Sequence, residues 1–109
     1  MATLREELAR VGFDFGHGRI LYQETLKGSP GFADKYDVGE IVEIDLTHPI
    51  LDFDYDNDYG DFAMPRFVAE DKDKIYFPCE YDGQCWVGWV YKNIDRYIEY
   101  GLTPYMGCG

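Results

Sequence analysis

The first hydrophobic pattern along the chain is helical. Leu4, Leu8 and Val11 recur at the spacing of one helix face. Thr3 and Glu6 have the spacing of a capping box at the start of this pattern. In a capping box the threonine oxygen accepts a backbone N–H, and the glutamate side chain reaches back to the N–H of the capping residue. The pattern predicts a short amphipathic helix over residues 3–11, which must dock on other elements because three turns are marginal alone.

Most of the remaining chain alternates between apolar and polar residues, which is typical of half-buried strands. Strands are predicted over residues 19–25, 42–46, 51–59, 62–69, 75–81 and 85–91. The last two flank Asp82-Gly83-Gln84, and Asp-Gly is a strong turn dipeptide, so they predict a β-hairpin. Pro65 places its strand at an edge or a bulge.

These elements indicate a single α+β domain over residues 1–109. An N-terminal helix within 1–12 precedes a mainly antiparallel β core over 19–100, and the Gly- and Pro-containing tail 101–109 is expected to fray. Residues 93–100 predict a short C-terminal helical turn, although a 3₁₀ turn followed by a strand fits the same pattern.

Two parts of the core resemble the SH3-like small barrel. Residues 20–24, a loop and residues 37–44 resemble that family's first strand, RT-type loop and diverging turn, and residues 88–93 resemble its last strand and 3₁₀ turn. Two features depart from the family: Tyr91 replaces the proline after Gly-Trp-Val, and the usual Trp-Trp pair is absent. The resemblance implies a small barrel over about residues 19–100.

The same resemblance implies an alternative function. In an SH3-like barrel, Tyr22, Trp86 and Tyr97 would lie near the position of a peptide-binding groove. The chain would then be a peptide- or protein-interaction module, although a fold alone does not determine a function.

The charge of the chain is strongly negative. It carries 21 Asp and Glu against 10 Lys and Arg, a net charge of −11. Direct binding to nucleic acid is not expected, because nucleic-acid-binding proteins carry the opposite sign. An aromatic content of 17% argues against global disorder. No stretch approaches the ~20 apolar residues of a membrane span, so no membrane contact is expected.

The negative charge is concentrated in residues 37–61, which we call the acidic segment. It holds nine carboxylates and no Lys or Arg. If residues 51–59 are extended, Phe53 and Tyr55 pack inward and alternate aspartates form an outward file spaced by about 6.6–6.8 Å. A basic partner would relieve the repulsion along this file and would be steered toward it. A solvated surface that favours solubility accounts for the same residues.

We therefore expect a non-catalytic binding protein or inhibitor that docks on the basic, nucleic-acid-binding surface of a nuclease or another DNA- or RNA-handling protein. In size and charge the chain is similar to nucleic-acid-mimicking inhibitors of phage or plasmid origin, including anti-restriction and anti-CRISPR proteins, and to immunity proteins of nuclease toxins. No sequence motif carries this likeness. The expected contact residues are Glu43, Asp45, Asp52, Asp54, Asp56, Asp58, Asp61, Tyr55, Tyr59 and Trp86.

A divalent-metal site is a further alternative, because the alternating aspartates invite comparison with an EF-hand loop. If Asp54 were the first residue of such a loop, Tyr59 would stand where the loop needs glycine and Pro65 where it needs glutamate. A start at Asp52 fails in the same way. We expect no bound metal and no cofactor.

No catalytic constellation is visible in the sequence. His17 and His48 are the only imidazoles, and no C-x₂-C or H-x₃₋₅-H spacing occurs. The glycine-rich residues 12–18 match neither a Walker A nor a dinucleotide-binding motif. We predict no catalytic residues and no enzymatic activity.

The cysteines bear on the cellular compartment. Cys79, Cys85 and Cys108 are an odd number in a chain without a visible export signal, which favours reduced thiols and a cytoplasmic protein. The alternative of a Cys79–Cys85 bridge across the predicted hairpin stays open at this stage.

Overall fold

The N-terminal helix forms where its cap and apolar spacing predict it. Helix α1 spans Leu4–Arg10, and the Thr3 hydroxyl accepts the backbone N–H of Glu6 at 3.2 Å. Leu4 and Leu8 are fully buried.

The computed structural model of this chain describes residues 1–24, 39–57, 64–81 and 84–102.

Five strands within the described ranges form one antiparallel sheet. They are β1 Arg19–Gln23, β2 Ile41–Ile44, β3 Phe67–Glu70, β4 Lys74–Tyr81 and β5 Gln84–Tyr91. Their order is β2-β1-β3-β4-β5, so β1 pairs on both sides: Leu21 lies opposite Glu43 of β2 and opposite Val68 of β3. The predicted hairpin is confirmed, since β4 and β5 pair along their full lengths and Tyr81 lies opposite Gln84.

The mainly antiparallel sheet with a short N-terminal helix confirms the coarse fold prediction. The described sheet is open, with β2 at one edge and β5 at the other, and an SH3-like barrel is not confirmed.

Pro78 also limits the pairing between β3 and β4. The described β3–β4 pairs involve only Tyr76 and Ile75 of β4, and Pro78 lies beyond them, as expected for a residue that lacks a backbone N–H.

The core lies on one face of the sheet, which we call the inner face. Helix α1 contributes Leu4 and Leu8 to the same buried cluster as Tyr22, Tyr76 and Val87. Side chains alternate along β5. Val87 and Trp89 therefore lie on the inner face, and Trp86, the residue before Val87, lies on the outer face.

The strand predicted over residues 51–59 is wrong within its described part. Pro49–Asp52 is a 3₁₀ helix, and Tyr55 makes an isolated antiparallel bridge with Ala2. Residues 58 and 59 lie outside the described residues. The strand predicted over 62–69 is shorter than expected, since β3 begins at Phe67, two residues after Pro65. This strand lies between β1 and β4, so the edge position predicted from Pro65 is wrong.

Of the two structures predicted for residues 93–100, the helix is the one that forms. Helix α2 spans Arg96–Tyr100 and ends at Gly101, whose φ of 87° is readily adopted only by glycine. Of the tail predicted to fray, Gly101 and Leu102 are described and 103–109 lie outside the described residues. None of the described helices is long and apolar enough to cross a membrane.

The expectation of reduced thiols is wrong for Cys79. Cys79 is disulfide-bonded, whereas Cys85 is a buried thiol, so these two cysteines are not bridged to each other. Disulfides persist mainly in oxidising compartments, so the cysteine argument for a cytoplasmic protein is lost.

Candidate protein-binding surface

The described part of the acidic segment folds against helix α1. The Ile50 N–H donates to Nδ1 of His48 at 3.1 Å, which caps the 3₁₀ helix Pro49–Asp52 at its first turn. Ile50 and Leu51 are buried in the core. The chain direction at this point is therefore fixed by packing and by a cap, without any strand pairing.

Beyond the 3₁₀ helix the chain is held at two further points. Ala2 and Tyr55 exchange two backbone hydrogen bonds of 2.9 Å. The carbonyl of Asn57 accepts the N–H of Cys85, the second residue of β5, at 3.0 Å. These contacts tie residues 53–57 between the residues before α1 and β5, which is an edge strand of the described sheet.

This arrangement places three aspartates outward at alternate positions, which we call the acidic strip: Asp52, Asp54 and Asp56. All three are exposed, whereas Leu51 and Tyr55 are buried and Phe53 is partly buried against the core. The predicted inward packing of Phe53 and Tyr55 is thus confirmed, although the segment is not a strand.

The members of the acidic strip differ in how far the chain itself neutralises them. Arg5 donates two hydrogen bonds to the Asp52 carboxylate, at 2.8 and 3.1 Å, and a third to the Leu46 carbonyl at 2.7 Å. The hydrogen bonds from Arg5 lower the pKa of Asp52 below its usual value. Asp54 makes no ion pair with any described residue.

Glu43 and Asp45 do not join the acidic strip. Glu43 lies on β2 with its side chain away from the core and pairs with Arg19 at 2.6 Å, and Arg19 also contacts Glu70 at 3.4 Å. Asp45 accepts from the Thr47 hydroxyl and N–H at 2.5 and 2.9 Å. These hydrogen bonds, first that of the hydroxyl, lower the pKa of Asp45. Both carboxylates therefore serve local structure.

The predicted aromatic anchors are not brought together. The Tyr55 side chain is only 1% exposed, so its predicted role as an exposed anchor is wrong and it belongs to the core. Burial and then the Glu7 carboxylate, with smaller contributions from Cys85 and Glu6, raise the pKa of Tyr55 well above its ordinary value. Trp86 is partly exposed but on the outer face. The remaining predicted contacts lie outside the described residues: Asp58, Tyr59 and Asp61.

The groove implied by the SH3 resemblance is also not assembled. Tyr22 is buried on the inner face, where its ring lies 5.7 Å from that of His48, and Trp86 lies on the outer face. Tyr97 is engaged elsewhere, because its hydroxyl accepts the backbone N–H of Tyr91 at 2.9 Å. The three residues therefore offer no common surface to a peptide.

Sequence reasoning missed the contribution of α1 to this site. Arg5 is the residue that fixes Asp52, and the neighbouring Glu6 is exposed and lies close enough to Tyr55 to influence its hydroxyl. The contact between Arg5 and Asp52 joins residues 47 positions apart. No local pattern could indicate such a pair, although an arginine on the first turn of a helix is itself visible in the sequence.

The described residues contain no group of three or more His, Cys, Asp or Glu side chains placed to hold a metal ion. The only described histidine–carboxylate pair with a short contact joins His17 and Asp14, at 3.0 Å on an exposed loop. Hydrogen bonding to His17 lowers the pKa of Asp14.

Comparison of the chain with protein-family models, with curated proteins and with solved structures found no match.

Proposed function

We propose that this protein is a non-catalytic acidic binding protein that docks its acidic strip on the basic surface of a partner. The observation that carries the proposal is the exposure of three aspartates at alternate positions of a segment that is fixed by packing, by Arg5 and by the Ala2–Tyr55 bridge. A surface held in place before binding loses little entropy when a partner binds.

The rest of the charge distribution supports an electrostatic role. Five cations of the described residues are paired with carboxylates of the chain itself: Arg5, Arg10, Arg19, Lys92 and Arg96. These pairs remove much of the positive potential, and the net charge is −11. The field that a partner meets is then dominated by unpaired carboxylates such as Asp54 and Glu6. Such a field raises association rates with a basic partner by about 10–10³-fold.

A nucleic-acid-binding surface is the partner surface that we propose. Such surfaces present Lys and Arg to phosphates, of which each strand of duplex DNA carries one per about 3.4 Å of helix axis. Asp54 and Asp56 flank the bridge-paired Tyr55, and side chains at alternate positions of an extended chain are about 6.6–6.8 Å apart. A file of carboxylates with that spacing has about half the axial charge density of one DNA strand. Nucleases and other DNA- or RNA-handling proteins carry this kind of surface. By size and charge, the anti-restriction, anti-CRISPR and immunity-protein classes remain the closest analogies that we propose.

The alternative functions have less support. An SH3-like peptide module would need Tyr22 and Trp86 on one surface, and the sheet separates them. A divalent-metal protein would need a ligand cluster, and none occurs among the described residues. A cytoplasmic location suits a partner that handles nucleic acid, whereas the disulfide at Cys79 argues for an oxidising compartment.

The proposal is tested by comparing what three immobilised proteins retain from a cell lysate at about 50 mM salt and release at about 500 mM salt. They are the wild type, the double variant Asp54→Lys/Asp56→Lys, and a control with the same change of charge, Glu24→Lys/Glu40→Lys. Glu24 and Glu40 are exposed and lie at the ends of β1 and β2, away from the strip. We expect a nucleic-acid-handling protein to be retained by the wild type and by the control, and at least about tenfold less by the strip variant.

Duplex DNA added to the retained complex should release the partner, because both would occupy one basic surface. Equal retention by the strip variant would contradict the proposal, as would a partner that holds DNA and this protein simultaneously.

A further inference from the structure

Helix α2 exposes its apolar residues instead of burying them. Ile94 is 78% and Ile98 is 84% exposed, and none of the helix residues Arg96–Tyr100 is buried. Single exposed apolar residues are common on protein surfaces and need no explanation. Two exposed isoleucines at a helix with no fully buried residue are a different case, because burial of an apolar face normally supplies most of the stability of so short a helix.

Polar and aromatic contacts hold this helix in place. The Tyr97 hydroxyl accepts the Tyr91 N–H at 2.9 Å. The Arg96 guanidinium lies 5.1 Å from the ring centres of both Tyr91 and Tyr100, and it contacts the Asp73 carboxylate at 3.3 Å. An arginine therefore faces the sheet while isoleucines face solvent, which reverses the usual amphipathic arrangement.

The outward side of α2 carries two adjacent rows of residues. The N–H groups of Arg96, Tyr97 and Ile98 donate to the carbonyls three residues earlier, each at 3.1 Å, so a 3₁₀-type turn that contains Ile94 and Asp95 leads into α2. Residues four apart are neighbours on a helix surface. Ile98 of α2 and Ile94 of the turn before it are four residues apart and both exposed, and we call this pair the apolar row. Asp95 and Glu99 have the same spacing one position further along, and we call them the acidic row. Both carboxylates are exposed, and neither makes an ion pair with a described residue.

We propose that this outward side of α2 is a docking surface for a partner helix with an apolar stripe flanked by Lys or Arg. The apolar row would pack against the stripe, as in other helix-mediated recognition. Asp95 and Glu99 would pair with the flanking cations, and this charge complementarity selects a basic helix over an acidic one. The same carboxylates oppose an anionic lipid surface, since that surface repels them.

This surface is separate from the acidic strip. The strip meets the sheet edge at Cys85, through Asn57, whereas α2 meets the same edge at Tyr91, through Tyr97. Six residues of extended strand span about 20 Å. The inference therefore does not depend on the proposed function, and the two surfaces can be tested independently.

The probe is a fluorescent 18-residue peptide designed as a helix with a leucine stripe flanked by lysines, together with a scrambled peptide of the same composition. We expect the wild type to bind the designed peptide and Ile94→Ser/Ile98→Ser to bind it at least about tenfold more weakly. Asp95→Asn/Glu99→Gln should also bind more weakly and with less dependence on salt. Because all four side chains are exposed, thermal unfolding should be nearly unchanged in both variants.

Two matched variants complete the test. Ile41→Thr/Val68→Thr removes exposed apolar surface from the outer face of the sheet, and Asp54→Asn/Asp56→Asn removes charge from the acidic strip. Both should bind the designed peptide within about twofold of the wild type. Equal binding by Ile94→Ser/Ile98→Ser, or equal binding of the scrambled peptide, would overturn the inference. Binding to phosphatidylcholine or phosphatidylserine vesicles that is lost in the same variant, without peptide binding, would overturn it in favour of a membrane.

Discussion

Tyr55 and Tyr76 are both buried, but their hydroxyl groups are in opposite situations. The Tyr76 hydroxyl donates to the Asp71 carboxylate at 2.6 Å. The Tyr55 hydroxyl has no hydrogen-bond partner among the described residues. Burial raises the pKa of both phenols, so each remains protonated at neutral pH. A donor without a partner costs about 1–3 kcal/mol when it is buried.

The same substitution should therefore have opposite effects at these two positions. Tyr55→Phe removes the unpaired hydroxyl and is expected to raise the free energy of unfolding by about 1 kcal/mol. Tyr76→Phe removes a hydrogen bond to a charged group and is expected to lower it by about 1.5–3 kcal/mol. Urea denaturation of both variants at pH 7 measures the difference. A loss of stability in Tyr55→Phe as large as in Tyr76→Phe would show that the Tyr55 hydroxyl is paired.

Individual residues were predictable from sequence only where their role is local. The Thr3 cap and the inward packing of Phe53 and Tyr55 follow from spacing alone. The Arg5–Asp52 contact does not, because it depends on how α1 docks against the 3₁₀ helix. The inward packing of Tyr55 was predicted correctly. The same burial removes Tyr55 from the predicted binding surface.

The turn between β3 and β4 is organised by one buried carboxylate, Asp71. It accepts backbone N–H groups from Asp73 and Lys74 within the turn, from Asp14 in the loop after α1, and the hydroxyl of Tyr76. Burial alone would raise the pKa of Asp71. The four hydrogen bonds, first that of Tyr76, outweigh burial and lower it. The carboxylate therefore links the sheet to the N-terminal part of the chain.

Because the pKa of Asp71 is lower in the folded state, its stabilising contribution depends on pH in a defined direction. The contribution is complete above the unfolded value of about 3.9 and is lost as the pH falls through the folded value. Asp71→Asn is expected to lower the free energy of unfolding by about 2 kcal/mol at pH 7. The difference in the free energy of unfolding between the wild type and this variant should become smaller toward about pH 2. Urea denaturation across the pH range measures it.

The comparison of the two proteins cancels the acid sensitivity of other carboxylates, such as Asp52, that both share. A gap of constant size at all pH values would contradict the assigned role of the Asp71 charge.

Alternation of apolar and polar residues proved a better guide to burial than to strand pairing. Residues 51–56 alternate between inward and exposed positions as predicted, yet they form no strand and make one bridge, between Tyr55 and Ala2. Period-two patterning reports only that successive side chains face opposite ways. Whether a neighbouring strand is available depends on chain topology, which local sequence does not contain. The hairpin β4–β5 was predictable because its turn and both strands are contiguous.

Over the chain as a whole, the sign of the charge was predictable and its distribution was not. The net charge of −11 follows from composition, but the neutralisation of Glu43 by Arg19 requires β1 and β2 to be neighbours. The order of the sheet, with β1 between β2 and β3, brings together residues far apart in sequence. The acidic strip is consequently smaller than the predicted acidic surface, and Asp54 lies at its centre.

The most direct test of the binding proposal is the association rate constant of the captured partner, measured by stopped flow from about 50 to about 500 mM salt. If the acidic strip steers the encounter, the rate for the wild type should fall by about 10-fold or more over this range. Asp54→Asn/Asp56→Asn should associate more slowly at low salt and converge with the wild type at high salt. A wild-type rate that does not change with salt, or identical curves for the two proteins, would contradict the proposal.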